Sequence, residues 1–169
     1  MEKLWSPWRS QYIDTLNESK PKGGCVFCDK QKEDLEAPES LLIAKNKYTF
    51  TVLNLYPYNN GHLMVIPYRH TCNFQSLTPE ENSEILLELQ KAQKTLAEVY
   101  NPDGYNIGAN IGKIAGAGID QHLHFHIVPR WNGDTNFMPV LGEVKILSQD
   151  LLDSKKKLRE AYKKLFEQD

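Results

Sequence analysis

The chain has 169 residues, a formal net charge of −2, and a composition that is 40% hydrophobic and 25% charged. This size and balance are typical of one globular domain, and the small net charge argues against nucleic-acid or membrane partners. No apolar run of about 18 residues predicts a transmembrane helix, and no signal-peptide core follows Met1. Cys25, Cys28 and Cys72 cannot all pair within the chain, so we predict reduced thiols and a cytoplasmic protein.

The first part of the chain predicts a loop followed by three strands. Residues 14–24 are polar and rich in glycine and proline, and they lead into the sequence Cys25-Val26-Phe27-Cys28. Three β-rich runs predict the strands, at 41–45, 48–55 and 62–67. Asn46-Lys47 fits a two-residue hairpin loop between the first two strands.

A long helix is predicted after the third strand. Thr78 can cap it, Pro79 suits its first position, and Glu81 completes a capping box. The apolar stripe that follows has helical spacing and consists of Ile85, Leu89, Ala92, Leu96 and Val99. The remaining predictions are a strand at 105–110, a glycine-alanine loop at 112–118, a strand at 122–128 and a helix at about 149–166. Five short strands with this spacing indicate an α+β fold with an antiparallel sheet.

Three of the five histidines occupy alternate positions in the last predicted strand. His122, His124 and His126 therefore share one face of it, where imidazoles can act as acid, base, nucleophile or metal ligand. A strand with an ordinary polar face would also alternate, but such faces usually mix Thr, Ser and Lys. The preceding loop carries Asn110 and glycines that can turn backbone N–H groups toward a phosphate. A neutral imidazole beside a bound phosphate can form a phosphohistidine.

The sequence resembles the histidine triad (HIT) superfamily. His122-Leu-His124-Phe-His126-Ile-Val matches its signature, and the stretch from Asn54 to Pro67 matches its second block. Residues 4–9 and 129–137 resemble the bacterial branch related to diadenosine tetraphosphate (Ap4A) phosphorylases and hydrolases. The resemblance implies one HIT domain, with a core at about 25–130, an N-terminal arm at 1–24 and a C-terminal extension at 131–169. It also implies a two-fold homodimer, in which Trp131 and Phe137 can pack at the interface.

The resemblance implies a role for each residue of the nucleotide site. His124 is the expected nucleophile, and His126 is expected to contact the α-phosphate or its bridging oxygen. Asn54 is expected to hydrogen-bond the ribose hydroxyls, and His62 either lies near the ribose or donates to a loop. The expected phosphate contacts are Asn110 and the loop at Gly116, Ala117 and Gly118, and the expected base contacts are Phe27 and Val52, which ordinary core positions would explain equally well.

A second site is expected at the first histidine of the triad. Cys25 and Cys28 have a spacing that lets two thiolates bind one Zn²⁺, although the same spacing occurs in redox motifs. Zinc-bearing HIT proteins add a histidine after the third strand and the first triad histidine, which are His70 and His122 here. A closed Cys₂His₂ set is typical of structural rather than catalytic zinc. No organic cofactor is expected.

Four functions fit these residues. The first is a nucleotidyl hydrolase or transferase that cleaves an Ap4A-like dinucleoside polyphosphate, or another nucleoside 5′-phosphoryl substrate, through an intermediate on His124. Its acceptor is water in a hydrolase and phosphate in a phosphorylase. The others are an AMP-amide phosphoramidase, a metallohydrolase whose triad binds a catalytic metal, and a non-catalytic nucleotide-binding module.

Overall fold

The computed structural model describes residues 24–135 and 149–167. Within these ranges the fold is α+β, with a five-stranded antiparallel sheet and three helices. The helices are α1 (Val26–Lys30), α2 (Pro79–Tyr100) and α3 (Leu151–Phe166), and the strands are β1 (Leu42–Lys45), β2 (Thr49–Leu53), β3 (Leu63–Pro67), β4 (Gly104–Gly108) and β5 (Phe125–Arg130). The predicted architecture is thereby confirmed, including the long helix between the third and fourth strands.

The strand order in the sheet is β1-β2-β3-β5-β4, so β5 is inserted between β3 and β4. His126 of β5 is therefore flanked by Met64 of β3 on one side and by Gly108 of β4 on the other. Every residue of β2 and β3 is buried, whereas β4 at the sheet edge is largely exposed. The order places the histidine strand beside the most deeply buried part of the sheet.

Helix α2 forms as its local sequence predicts. The Thr78 hydroxyl accepts from the Glu81 amide, and the Glu81 carboxylate accepts from the Thr78 amide, which completes the capping box. The helix ends at Asn101, whose φ of 43° lies in the left-handed region that closes many helices. The predicted apolar stripe is buried at Ile85, Leu89, Ala92 and Leu96.

Helix α3 packs against α2 and β1 through apolar and polar contacts. Leu158 is fully buried, and the Tyr162 hydroxyl donates to the Glu88 carboxylate of α2 at 2.8 Å. Arg159 is almost completely buried and forms ion pairs with Glu36 and Glu167. The C-terminal helix is thus part of the core.

The observed elements differ from the predicted ones at two places near the histidines. Residues 122–124 were predicted as strand, but β5 starts at Phe125, because His122 and Leu123 lie against the loop after β3 instead of continuing the ladder. The Leu123 amide donates to the Thr71 carbonyl at 2.8 Å. The cysteine motif, for which no helix was predicted, contains the one-turn helix α1.

No helix in residues 24–135 or 149–167 is both long and apolar enough to cross a membrane. Residues 1–23 of the N-terminal arm and residues 136–148 and 168–169 of the predicted C-terminal extension, among them Phe137, lie outside the described residues.

Candidate active site and metal centre

His124 lies in the buried segment that leads into β5. Its Nδ1 is 2.9 Å from the backbone oxygen of His122. A carbonyl oxygen only accepts, so Nδ1 carries the proton and Nε2 has a free lone pair, as a nucleophile requires. Burial lowers the pKa of His124 because its surroundings disfavour the imidazolium, although the bond to the His122 carbonyl partly opposes this. His124 is therefore neutral near pH 7.

His62 and His126 form a hydrogen-bonded pair beside His124. The His62 Nε2 and His126 Nδ1 atoms are 2.9 Å apart, and the Tyr58 amide donates to His62 Nδ1 at 3.1 Å. Because His62 Nδ1 accepts, the proton of neutral His62 lies on Nε2, which donates to His126. A neutral His126 then carries its own proton on Nε2.

His124 and His126 thus have opposite tautomers at adjacent positions. Their ring centroids are 4.9 Å apart, with the lone pair on Nε2 of one ring and the proton on Nε2 of the other. The pKa of His62 is well below its ordinary value, first through burial and then through the neighbouring histidines. The arrangement places a lone pair that can attack and an N–H group that can donate a hydrogen bond side by side.

An open space adjoins His126 on the β4 side. Gly108 is paired with His126 across the two strands, and a Cβ atom added there would meet no atom within 4 Å. The Tyr58 ring is stacked on His126 at a centroid distance of 5.7 Å. A side chain at position 108 would therefore enter open space on the strand that flanks His126.

The glycine loop lies between β4 and the histidine segment and contains a 3₁₀ turn. Gly112 and Gly116 have φ angles of 84° and 89°, in the region that favours glycine. The Asn110 side-chain amide donates to the Gly116 carbonyl at 3.4 Å, and the Gly116 backbone amide donates to the Lys113 carbonyl. The Ala117 amide makes a longer bond to Gly112 at 3.4 Å. A bound phosphate would have to share or replace these contacts.

The four predicted metal ligands lie together around His122, at the start of the histidine segment. The ligand atoms of Cys25, Cys28, His70 and His122 all lie within 4.8 Å of one another. Three sulfur-to-Nδ1 distances are 3.3, 3.4 and 3.7 Å. Zn–S bonds of about 2.3 Å and Zn–N bonds of about 2.0 Å give tetrahedral edges of roughly 3.3–3.8 Å, which these distances match.

His122 is held in the tautomer that a metal ligand needs. Its Nε2–H donates to the Pro67 carbonyl at 2.8 Å, so Nδ1, which faces the two sulfur atoms, has the lone pair. The pKa of the Cys28 thiol is raised by burial and by Cys25, because two thiolates so close repel each other. A divalent cation between them would remove that repulsion.

The residues expected to bind the nucleoside lie near these two sites. Phe27 and Val52 are buried. The Phe27 ring contacts His122 and His124. The Asn54 side chain accepts from the Tyr56 amide, and its Nδ2 lies 3.3 Å from His62 Nδ1.

Sequence reasoning missed the contact between His62 and His126. His62 was expected either near the ribose or as a donor to a loop, yet the loop amide donates to it and its own proton faces His126. The available signal was its position just before a strand that could pair with the histidine strand, but the pairing itself is a long-range feature.

Comparison with known proteins identifies close relatives. The HIT domain family matches residues 35–133. An Ap4A phosphorylase of Mycobacterium tuberculosis is 38% identical over 94% of this chain and 83% of its own length. An adenosine 5′-monophosphoramidase of Schizosaccharomyces pombe is 32% identical over 64% of this chain and 75% of its own.

A solved structure supports the same family assignment. The crystal structure of a zinc-bound histidine triad family protein from Mycobacterium smegmatis superposes with a TM-score of 0.67 and 30% identity, covering 84% of this chain and 95% of that one. The extent of the sequence match, the shared fold and the complete histidine signature agree. The chain belongs to the HIT family.

Proposed function

We propose that this protein cleaves nucleoside 5′-phosphoryl substrates, with dinucleoside polyphosphates such as Ap4A as the favoured class. The observation that carries the proposal is the free lone pair on His124 Nε2 beside the proton on His126 Nε2. The similarity to an Ap4A phosphorylase over most of the chain supports the substrate class.

In the first half-reaction, His124 Nε2 attacks the α-phosphorus of the bound nucleotide. A P–N bond forms, the bond from phosphorus to the bridging oxygen breaks, and that oxygen leaves as a phosphate anion that accepts a hydrogen bond from His126 Nε2–H. His62 holds His126 in the donating tautomer through the 2.9 Å bond. The product is a nucleotidyl group on His124 and a free polyphosphate-bearing leaving group.

In the second half-reaction, an acceptor oxygen attacks the same phosphorus. The P–N bond breaks, His124 regains its lone pair, and the acceptor proton passes to solvent or to a phosphate oxygen of the product. Water as acceptor gives AMP, and inorganic phosphate gives ADP. Phosphate is the favoured acceptor because the 38% identical relative is a phosphorylase.

The remaining contacts follow from where the family motifs fall. We assign the phosphate oxygens to Asn110 and the loop at 116–118, and the ribose hydroxyls to Asn54. Phe27 and Val52 are assigned to the base. Asn54 can fill this role while bonded to His62, since its carbonyl oxygen has a second lone pair and its amide a second hydrogen.

The test is to incubate the protein with Ap4A, with and without phosphate, and to identify the products. ADP and ATP formed only with phosphate establish a phosphorylase, whereas AMP and ATP without it establish a hydrolase. His124→Ala is expected to abolish turnover and the acid-labile nucleotidyl adduct seen by mass spectrometry. An adduct on another residue, or turnover retained in this variant, would contradict the mechanism.

A phosphoramidase is the second candidate, supported by the similarity to an adenosine 5′-monophosphoramidase. The same attack by His124 applies, with an amine that takes its proton from solvent and leaves in place of the phosphate anion. Cleavage of an AMP amide without any cleavage of Ap4A would favour this function. Nucleotide binding without turnover of either substrate would leave only a binding module.

We propose that Cys25, Cys28, His70 and His122 bind a structural Zn²⁺. The matching ligand distances and the tautomer of His122 support the site. Zinc there would tie α1 to the sheet. Removal of the metal is expected to lower the melting temperature, and a protein that stays folded but needs added metal for the chemical step would favour the metallohydrolase instead.

We also propose a two-fold dimer formed through β4. Three of its five residues are exposed and Ile107 is 52% exposed, whereas Leu42, Ile43 and Ala44 of the opposite edge strand are buried. An exposed edge can pair with its own copy about a two-fold axis. Ile107→Lys is expected to give a monomer in analytical ultracentrifugation, and Ile114→Lys, in the exposed loop, serves as the control. A monomeric wild type at micromolar concentration would refute the dimer.

A further inference from the structure

His122 contacts the metal cluster through its ring and the nucleophile through its backbone. Its Nδ1 lies 3.3 Å from the Cys25 sulfur, and its carbonyl oxygen accepts from His124 Nδ1–H at 2.9 Å. The ring is also anchored on the far side by the bond from Nε2 to Pro67. One residue therefore joins the two sites, and its main chain cannot move without affecting the bond that sets the His124 tautomer.

Phe27 provides a second connection between the two sites. It lies between the two cysteines of the cluster, is 4% exposed, and has ring centroids 5.0 Å from His124 and 5.6 Å from His122. The ring thus packs directly on the nucleophile. Its position follows the position of α1.

Helix α1 is held by the buried Phe27 ring and by the two cysteines of the cluster. It is five residues long, and its N-cap residue, Cys25, makes no side-chain capping bond. A single helical turn of this kind is unstable alone, because few hydrogen bonds offset the lost backbone entropy. Cys25 and Cys28 flank Phe27 in this turn, so fixing both cysteines restricts the movement of the Phe27 ring within the core.

We infer that metal binding at the cluster controls the orientation of His124, with Phe27 as the positioning residue. When Zn²⁺ is bound, the cysteines hold α1 and the Phe27 ring keeps His124 where Nδ1–H meets the His122 carbonyl. When the metal is absent, the Phe27 ring and the His122 carbonyl are less firmly held. His124 then samples its other tautomer and other rotamers. The inference rests on the proposed zinc site and on His124 as the proposed nucleophile.

The test measures the His124 ring itself, by long-range ¹H–¹⁵N NMR on ¹⁵N-histidine protein near neutral pH. It compares protein stripped by a chelator with the same protein reloaded with Zn²⁺, both shown to be folded by circular dichroism. We expect a single Nδ1–H tautomer in the zinc form, its loss in the stripped form, and its recovery on reloading. An unchanged His124 tautomer in the stripped protein would overturn the inference.

Variants separate positioning from a general structural role. Phe27→Leu is expected to bind zinc at unchanged stoichiometry while showing the His124 signals of the stripped protein. Val26→Ala, on the exposed side of the same turn, is the matched control and should keep the zinc-form signals. Zinc-form signals in Phe27→Leu would rule out Phe27 as the link. If Phe27→Leu fails to fold or to bind zinc, the comparison of stripped and reloaded wild-type protein decides whether the metal controls the His124 tautomer.

The measurement needs neither nucleotide nor turnover. An absence of Ap4A cleavage would refute the proposed function and leave the tautomer result standing. Conversely, an Ap4A phosphorylase whose His124 tautomer ignores zinc would refute only the inference.

Discussion

Three of the four buried histidines have their tautomers fixed by a neighbouring backbone group, and the fourth, His126, takes its tautomer from His62. His124 donates to a carbonyl, whereas His62 accepts from the Tyr58 amide and must donate to His126. Identical imidazoles thereby acquire different chemistry without any charged partner. The pattern of alternating histidines in the sequence shows that such groups are present but not which nitrogen of each is protonated.

His62→Gln is expected to lower kcat by roughly 10- to 100-fold with a small effect on KM, because His126 would lose the donor that orients it. The substrate contacts assigned above remain in this variant, so binding should persist. Steady-state kinetics with Ap4A measure the split. A large rise in KM with unchanged kcat would instead place His62 in the ribose site.

Gly108→Val is expected to raise KM severalfold or more, because the new side chain fills the open space beside His126. Gly104→Val is the matched control, since it lies in the same strand, opposite Arg130, with no atom within 4 Å of its added Cβ. Both variants should have similar melting temperatures. Equal KM values in the two would show that the substrate does not use this space.

At the scale of the elements, local signals decide how well the sequence predicts the fold. Helix α2 is predicted from end to end because Thr78, Pro79, Glu81 and the apolar stripe all lie within it. The start of β5 is not predicted correctly, because two residues before it make contacts that are distant in sequence. Leu123 is hydrogen-bonded to Thr71, and His122 lies against the cysteines. Helix α1 carries no local helix signal, and its packing with His122 and His124 is a long-range contact.

The attachment of α3 to α2 depends on a buried hydrogen bond. Glu88 is 1% exposed and accepts from the Tyr162 hydroxyl and from Lys91. Burial and the Glu88 carboxylate raise the pKa of Tyr162, so its hydroxyl stays protonated over the working pH range.

Tyr162→Phe is expected to reduce the free energy of unfolding by about 1–3 kcal/mol, because the buried carboxylate loses one of its donors. Tyr105→Phe is the control, since that hydroxyl makes a 3.3 Å bond in an exposed setting and its loss should cost much less. Urea denaturation of both variants gives the comparison. Equal losses of unfolding free energy in the two variants would show that the buried bond to Glu88 stabilises the fold no more than the exposed bond of Tyr105.

At the scale of the whole molecule, the buried neutral histidines make stability depend on pH. His62 and His124 have lowered pKa values in the folded protein, while the unfolded chain titrates near about 6.5. Below that pH the unfolded chain binds protons that the folded one does not. Each histidine therefore stabilises the fold fully above about pH 6.5, and this stability is lost as the pH falls toward its folded pKa.

The expected slope is up to about 1.4 kcal/mol per pH unit for each histidine in that window. Urea denaturation at a series of pH values measures it, and His62→Gln should flatten the curve relative to wild type. Stability that rises as the pH falls from 6.5, or equal slopes in the two proteins, would contradict the assignment of His62 as a buried neutral group.

The chain of hydrogen bonds behind His126 ends at groups that cannot release a proton. His62 Nδ1 faces only the Tyr58 amide and the Asn54 amide, and the Asn54 carbonyl is oriented toward the Tyr56 amide. The chain is therefore an anchor and not a proton wire to bulk water. In the proposed reaction, His126 therefore keeps its Nε2 proton through both half-reactions and acts only as a hydrogen-bond donor. The demand then falls on the leaving group, which must depart as an anion without a proton from His126, as the terminal phosphate of a nucleotide can and a simple alkoxide cannot.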